Sequence, residues 1–208
     1  MQIKIVTVER EYGSGGGEIA KQLAAQLGWK LWDELLSEEI ARRADCPRAV
    51  VARREERNDP LYYRLFKSFL RGSYEGSLNA YKLNLLDSEC ILKFTTAVVQ
   101  DAASAGNCVI VGRGSQLMLR EREDTMRVFL YAPGELKVRR LMSRGKKERE
   151  ARELVDTVDV ERAKYIEKYF NVEWPSRSVY HAMINTAIGD EAVIRTILDL
   201  MKTLQVAA

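Results

Sequence analysis

With 208 residues, 46% of them hydrophobic and 30% charged, the chain can bury a core of its own without staples, so one domain carrying an insertion is expected. Thirty-three basic against thirty acidic residues leave a net charge of +3, which argues against a protein held on nucleic acid by bulk charge; any phosphate site has to be local. The three cysteines, Cys46, Cys90 and Cys108, lie far apart outside any metal-ligand spacing, and no apolar run approaches membrane-spanning length, so reduced thiols in a cytoplasmic protein are expected.

The chain opens on a short run rich in β-branched residues, Ile3 to Val8, which reads as a buried strand. Ile19, Ala20, Leu23, Ala24 and Leu27 then recur at helical spacing up to Gly28. Between the two lies Arg10-Glu11-Tyr12-Gly13-Ser14-Gly15-Gly16-Gly17-Glu18, a glycine-rich turn between strand and helix. Glycines allow the backbone to curl with positive φ and turn its N–H groups inward, and the following helix adds the positive end of its dipole, so the turn suits an anion, phosphate first. Neither standard phosphate loop fits fully. A Walker A loop requires Lys and then Ser or Thr at the helix start, where this chain has Gly16, Gly17 and Glu18, and a dinucleotide fingerprint lacks its third glycine, although Asp33 lies near the distance expected of a ribose-binding acid. A tight turn with no ligand stays open at this point.

Lys30 to Asp33 reads as a second strand ending at a carboxylate, followed by helical character from Glu34 to Ala44. From Cys46 to Ser88 the pattern changes to a charged face, an aromatic stretch and a loop punctuated by Gly72 and Gly76, which marks an insertion. A helix follows over Glu89 to Ala105, capped by Ser88 and stopped at Gly106. Cys108 to Val111 is the continuous apolar run of a strand buried on both faces, and it ends in Gly112-Arg113-Gly114. Met126 to Tyr131 and Tyr180 to Asn185 supply two more strands, with helices at Gly134 to Met142 and Glu191 to Leu204. Strands alternating with helices imply an α/β fold, a parallel sheet covered on both sides, with Gly13, Asp33, Arg113 and Asn185 at the strands' carboxyl ends.

Between Arg139 and Tyr169 the chain is densely charged, including Arg140, Arg144, Lys146, Lys147, Arg149, Asp159 and Arg162. Such a segment can fold over a polyphosphate, or it can be a solvated helix that pairs Asp159 with Arg162 at i, i+3. The single histidine, His181, and the tryptophans Trp29, Trp32 and Trp174 are expected to pack or hydrogen-bond rather than catalyse.

Taken together, Val6 to Gly16, Leu27-Gly28-Trp29 with Trp32-Asp33, Val109 to Gly114, Arg127 to Pro133, Asp159 with Arg162, and Trp174 with Tyr180-His181 and Ile184-Asn185-Thr186 resemble the cytidylate-kinase-like proteins, a divergent branch of the P-loop nucleoside monophosphate kinases. The resemblance covers nearly the whole chain outside Cys46 to Ser88. It implies a P-loop NTPase fold over residues 1–208, with a parallel five-stranded sheet flanked by helices, a helical NMP-binding insertion over 46–88 and a basic lid over 139–170.

It further implies ATP and Mg²⁺ as cofactors, small nucleotides as partners with neither nucleic acid nor membrane, and phosphoryl transfer to a CMP-like acceptor. By position, Arg10, Gly13, Ser14, Gly15, Gly16, Gly17 and Glu18 would hold the donor phosphates, with Glu18 also the Mg²⁺ candidate. Asp33, Arg113 and Asp159 would face the acceptor, Arg113, Arg139, Arg140, Arg144 and Arg162 would serve catalysis, and Asn185 and Thr186 would meet the donor base. The loop offers no lysine, so the charge has to come from Arg10, Lys21, Arg113 or the lid. A nucleotide- or anion-binding relative that has lost catalysis is the second reading, and a homo-oligomer stays open.

Overall fold

The computed structural model describes residues 2–43 and 88–206, so the expected lobe over 46–88 lies outside the described residues except for its last position. Five strands, β1 (Ile5–Arg10), β2 (Lys30–Trp32), β3 (Cys108–Val111), β4 (Thr125–Tyr131) and β5 (Ala182–Asn185), form one sheet in the order β2-β3-β1-β4-β5. All four pairings are parallel. Among the described residues the helices are α1 (Gly16–Leu27), α2 (Glu34–Arg43), α3 (Ser88–Ala105), α4 (Ser115–Met118), α5 (Gly134–Ser143), α6 (Glu148–Phe170) and α7 (Asp190–Val206), with two 3₁₀ turns at Arg177–Val179 and Thr186–Ile188.

Side chains of a strand alternate between faces, and β1 distributes its residues accordingly. Val6 and Val8 join Ile19, Leu23 and Ala24 of α1 and Val193, Ile194 and Ile197 of α7 in one core cluster. Ile5 points the other way, into a cluster with Leu36 and Ile40 of α2, Val98, Val99 and Ala102 of α3, and Tyr165 and Ile166 of α6. The sheet is therefore covered on both faces, which is why Cys108 to Val111 reads as unbroken apolar sequence. Cys108 packs in that core, where burial pushes its thiol up to about 11. A third cluster, Tyr12, Val138, Leu141, Ala151 and Val158, seats α5 and α6 against the turn after β1.

Several boundaries differ from the sequence reading. β1 runs on through Glu9 and Arg10, both buried, because the strand end is packed beneath α6 rather than exposed. α4 was not expected; it is a single turn bent out of the loop after β3. The charged stretch after α5 is the 23-residue helix α6. Its outer face carries the pairs expected of a solvated helix, Arg152 with Glu148 and with Glu135 of α5. Asp159 and Arg162 depart from that pattern, since they sit on its buried side.

After β1 the chain crosses to β2, beyond β3, whereas after β4 it moves outward to β5. The connections thus diverge at the carboxyl ends of β1 and β4, the place where an open parallel sheet leaves a crevice. If α7 is part of the core as described, Ile197→Ala, at 0% exposure, will cost about 2–5 kcal/mol in urea denaturation. Val160→Ala on the outer face of α6, at 51% exposure, will stay within about 0.5 kcal/mol, and equal costs at the two positions would contradict the packing.

Candidate functional site

The site grows from the turn between β1 and α1. Gly13 and Gly15 have φ of 77° and 84°, and α1 starts at Gly16 with no side-chain cap, so the first-turn amides face outward without partners in their own helix. Two anchors fix the turn from behind. The Ser14 carbonyl accepts hydrogen bonds from the Thr186 hydroxyl at 2.6 Å and from the Arg140 guanidinium, which also donates to Thr186 Oγ1 at 2.7 Å. The Tyr12 amide donates to Asp159 at 2.8 Å. Close packing completes the clamp: a Cβ on Gly13 would lie 3.0 Å from Lys137 Cβ and 3.2 Å from the Lys137 carbonyl, so the turn lies directly on α5.

Beneath the turn lies a network of eight charged side chains. Arg10 sits at ion-pair distance from Glu9 (3.8 Å) and Asp33 (3.9 Å), and Lys137 bridges Glu11 at 3.0 Å and Asp159 at 3.3 Å. Arg162 donates to the Arg10 carbonyl at 2.7 Å and pairs with Asp159. Arg113 donates to the Asp33 carbonyl at 3.4 Å and to the Ser37 hydroxyl. Among the described residues, Arg10, Arg113, Lys137 and Arg162 balance Glu9, Glu11, Asp33 and Asp159 when all eight are ionised. Burial brings Arg113 and Arg162 down to about 10, which leaves both charged at neutral pH. Burial likewise raises Glu9 and Asp159 above the ordinary carboxylate range, against the pull of Arg10 and Arg162 on Glu9 and of Arg162 on Asp159.

In front of the turn is a cleft of about 610 Å³. Among the described residues four cations line it, Arg10, Lys21, Arg144 and Arg162, with four carboxylates, Glu11, Glu18, Asp33 and Glu34, and a rim that includes Leu31, Leu35 and Leu141. Gly13, Gly15, Gly16, Gly17, Glu18, Asp33, Arg10, Arg144 and Arg162 of the sequence-derived set therefore meet in one place. The others do not line it. Arg139 is on the exposed face of α5, while Arg140 and Thr186 are spent on the Ser14 carbonyl. Asn185 turns its side-chain oxygen to the Ala187 amide, and Asp159 is taken up beneath the turn.

Arg113 is 1% exposed and faces the start of α2. Gly112, Arg113 and Gly114 all have positive φ (69°, 61° and 77°), a left-handed turn that is strained for arginine and is held by its buried hydrogen bonds. The tryptophans and His181 behave as packing and hydrogen-bonding residues. Trp174 stacks edge-on against Phe129, and His181 Nδ1 accepts from the Arg127 amide.

Sequence reasoning missed Glu9 and Lys137. Nothing in a strand pattern marks Glu9 as buried, because its partners Arg10 and Arg162 depend on tertiary packing. Lys137 left a faint signal, its place on the same face of α5 as Val138 and Leu141. The raised Glu9 pKa has a measurable consequence. The folded protein holds this proton more tightly than the unfolded chain, so from about pH 4.5 up to the folded pKa stability falls as pH rises. Glu9→Gln cannot titrate, and urea denaturation at a series of pH values will show wild type losing stability relative to this variant as pH climbs through that window. Parallel curves would contradict the assignment.

Comparison with known proteins bears on this geometry in two ways. In three dimensions the chain is similar to an uncharacterized protein from Eubacterium ventriosum, with a TM-score of 0.69 and 20% identity over 96% of this chain and 98% of the other. It is also similar to shikimate kinase from Bacteroides thetaiotaomicron (TM-score 0.52, 15% identity, 96% and 98% covered) and to shikimate kinase from Acinetobacter baumannii in complex with shikimate (0.51, 18%, 97% and 94%). At these identities the likeness establishes the fold, the parallel sheet of the P-loop kinases. No curated protein matches the sequence. A family model matches residues 5–188, from the first strand to the second 3₁₀ turn, and the chain belongs to the cytidylate kinase-like family.

Proposed function

We propose that this protein transfers a phosphoryl group from ATP, with Mg²⁺, to a small cytoplasmic acceptor, a nucleoside monophosphate of the CMP type being the first to test. The observation that carries this reading is the convergence of Arg10, Lys21, Arg144 and Arg162 on a cleft whose floor is the glycine turn and the start of α1. Phosphoryl transfer asks little covalent chemistry of a protein; it needs in-line positioning and neutralisation of charge. An acceptor oxygen attacks the γ-phosphorus while the bond to the β-phosphate oxygen breaks, and ADP leaves with the bonding electrons. The turn amides and Arg10 are assigned to the donor phosphates, and Arg144 and Arg162 to the equatorial oxygens of the transferring group, where a planar guanidinium can bind two oxygens at once. The acceptor is placed on the opposite side, between Asp33 and Leu35 at the start of α2. Arg113 then acts from behind as a positioning residue that fixes Asp33 and Ser37, and the donor base is assigned beyond the cleft lining, at Asn185.

The residues fit Mg²⁺. This ion prefers one or two carboxylates plus waters and phosphate oxygens to an all-protein cage. Glu18 and Asp33 both line the cleft, and among the described residues no three acidic, histidine or cysteine side chains form a cage. Bound there, the ion would neutralise charge on the β- and γ-phosphates.

Purified protein with MgATP and a panel of nucleoside monophosphates, nucleosides and small hydroxy acids, products separated by chromatography, tests the reading. One acceptor will be phosphorylated, and Arg144→Ala will lower kcat by about 10²- to 10³-fold. No transfer to any acceptor, with MgATP still raising the melting temperature, would favour a binding protein that has lost catalysis. Absence of both would sink the proposal.

A further inference from the structure

We infer that Arg10 supplies, from the strand before the turn, the cation that a Walker A loop supplies from the helix after it, and that residue 16 is glycine because the Arg10 stem occupies its side-chain space. The inference rests on the kinase reading of the same cleft and names the group that makes a lysine-less loop workable.

Gly16 has no need of glycine on backbone grounds. It opens α1 and is not one of the positive-φ glycines, and in a helix glycine costs about 1 kcal/mol relative to alanine. Space explains it instead. A Cβ on Gly16 would lie 2.7 Å from Arg10 Cβ and 3.1 Å from Arg10 Cγ, closer than carbon atoms pack. A lysine at this position and the arginine at position 10 therefore exclude each other.

The Arg10 guanidinium is also unspent. The residue is 5% exposed yet lines the cleft beside Gly13, Gly15 and Gly16. Its Nη1 is buried and donates to no acceptor, since Glu9 at 3.8 Å lies beyond hydrogen-bond distance, and its Nη2 stands 3.9 Å from Asp33. A buried donor left without an acceptor is costly, and on the wall of a cleft it is placed for a ligand to complete. The two carboxylates hold the positive charge in place without consuming its N–H groups, and Arg162 fixes the Arg10 backbone through its carbonyl at 2.7 Å. A terminal phosphate of a nucleoside triphosphate offers oxygens for a bidentate contact there.

Displacement of a fluorescent ATP analogue by ATP, ADP and AMP, each with Mg²⁺, reads this contact in wild type, Arg10→Met, Arg10→Lys and Gly16→Ala. In Arg10→Met, ATP affinity will fall about 10- to 100-fold, the worth of a lost hydrogen bond to a charged group, while AMP affinity changes by less than about threefold. Arg10→Lys will recover part of the loss. Gly16→Ala, which alters no charge, will reproduce it, because its methyl group pushes Arg10 aside; this variant decides the matter should Arg10→Met fail to fold. Equal losses for ATP and AMP would make Arg10 a structural residue and overturn the inference, as would unchanged ATP affinity in both Arg10→Met and Gly16→Ala. Failure of wild type to bind the analogue would remove the kinase reading itself, and this inference with it.

Discussion

The arrangement depends on one constraint: charges taken out of water at the end of β1 have to be neutralised by one another. Removing a carboxylate or guanidinium from water costs several kcal/mol per ion even after relaxation, and only paired or hydrogen-bonded geometry offsets it. The network meets that demand with residues drawn from five places, β1 and the turn after it, the start of α2, the turn after β3, α5 and α6. Each of these elements is thereby tied to the same point. The turn has little apolar surface of its own, and its shape is held largely by Asp159 on the Tyr12 amide and by Arg140 and Thr186 on the Ser14 carbonyl.

The same requirement explains the division of labour among the arginines. Arg113, whose two terminal nitrogens donate to the Asp33 carbonyl and the Ser37 hydroxyl, and Arg140, which donates to Ser14 and Thr186, brace neighbouring chain and do not line the cleft. Of those that reach the cleft, Arg144 is exposed, Arg10 is buried with an N–H group still to give, and Arg162 is buried and braces the Arg10 carbonyl. A count of basic residues in sequence cannot separate these groups, because the separation is made by acceptors far away along the chain.

How much was legible follows from the same distinction. The strands and helices were readable because their signals are local: the apolar run Cys108 to Val111, the helical spacing of Ile19, Leu23 and Leu27, the stop at Gly28. Asp33 at the end of β2 was readable for the same reason, and it lines the cleft. Glu9 was not, since a carboxylate after an apolar run reads as a strand reaching water; only the packing of α6, with Arg162 under the Arg10 carbonyl, buries it. Lys137 had only its place beside Val138 and Leu141 on α5 as a hint, and its burial follows from the turn lying on it. The positive φ of Arg113 had only its two flanking glycines as a hint.

On the kinase reading proposed above, charge balance also bears on how a turn without lysine would serve phosphate chemistry. Among the described residues the cleft lining carries four cations and four carboxylates, so these side chains together bring no net positive charge to a polyanion. A nucleotide that arrives with its own divalent cation is a smaller net charge to accommodate, and the carboxylates that would repel bare phosphate can then face the ion. What the protein has to supply is position rather than bulk charge: turn amides held at fixed orientation and a few guanidinium groups whose place is set before the ligand enters. A lysine on a flexible stem is one solution to that problem. A guanidinium braced between Glu9 and Asp33 and lying against a residue without a side chain is another, and it shifts the constraint from the identity of the loop residue to the space beside it.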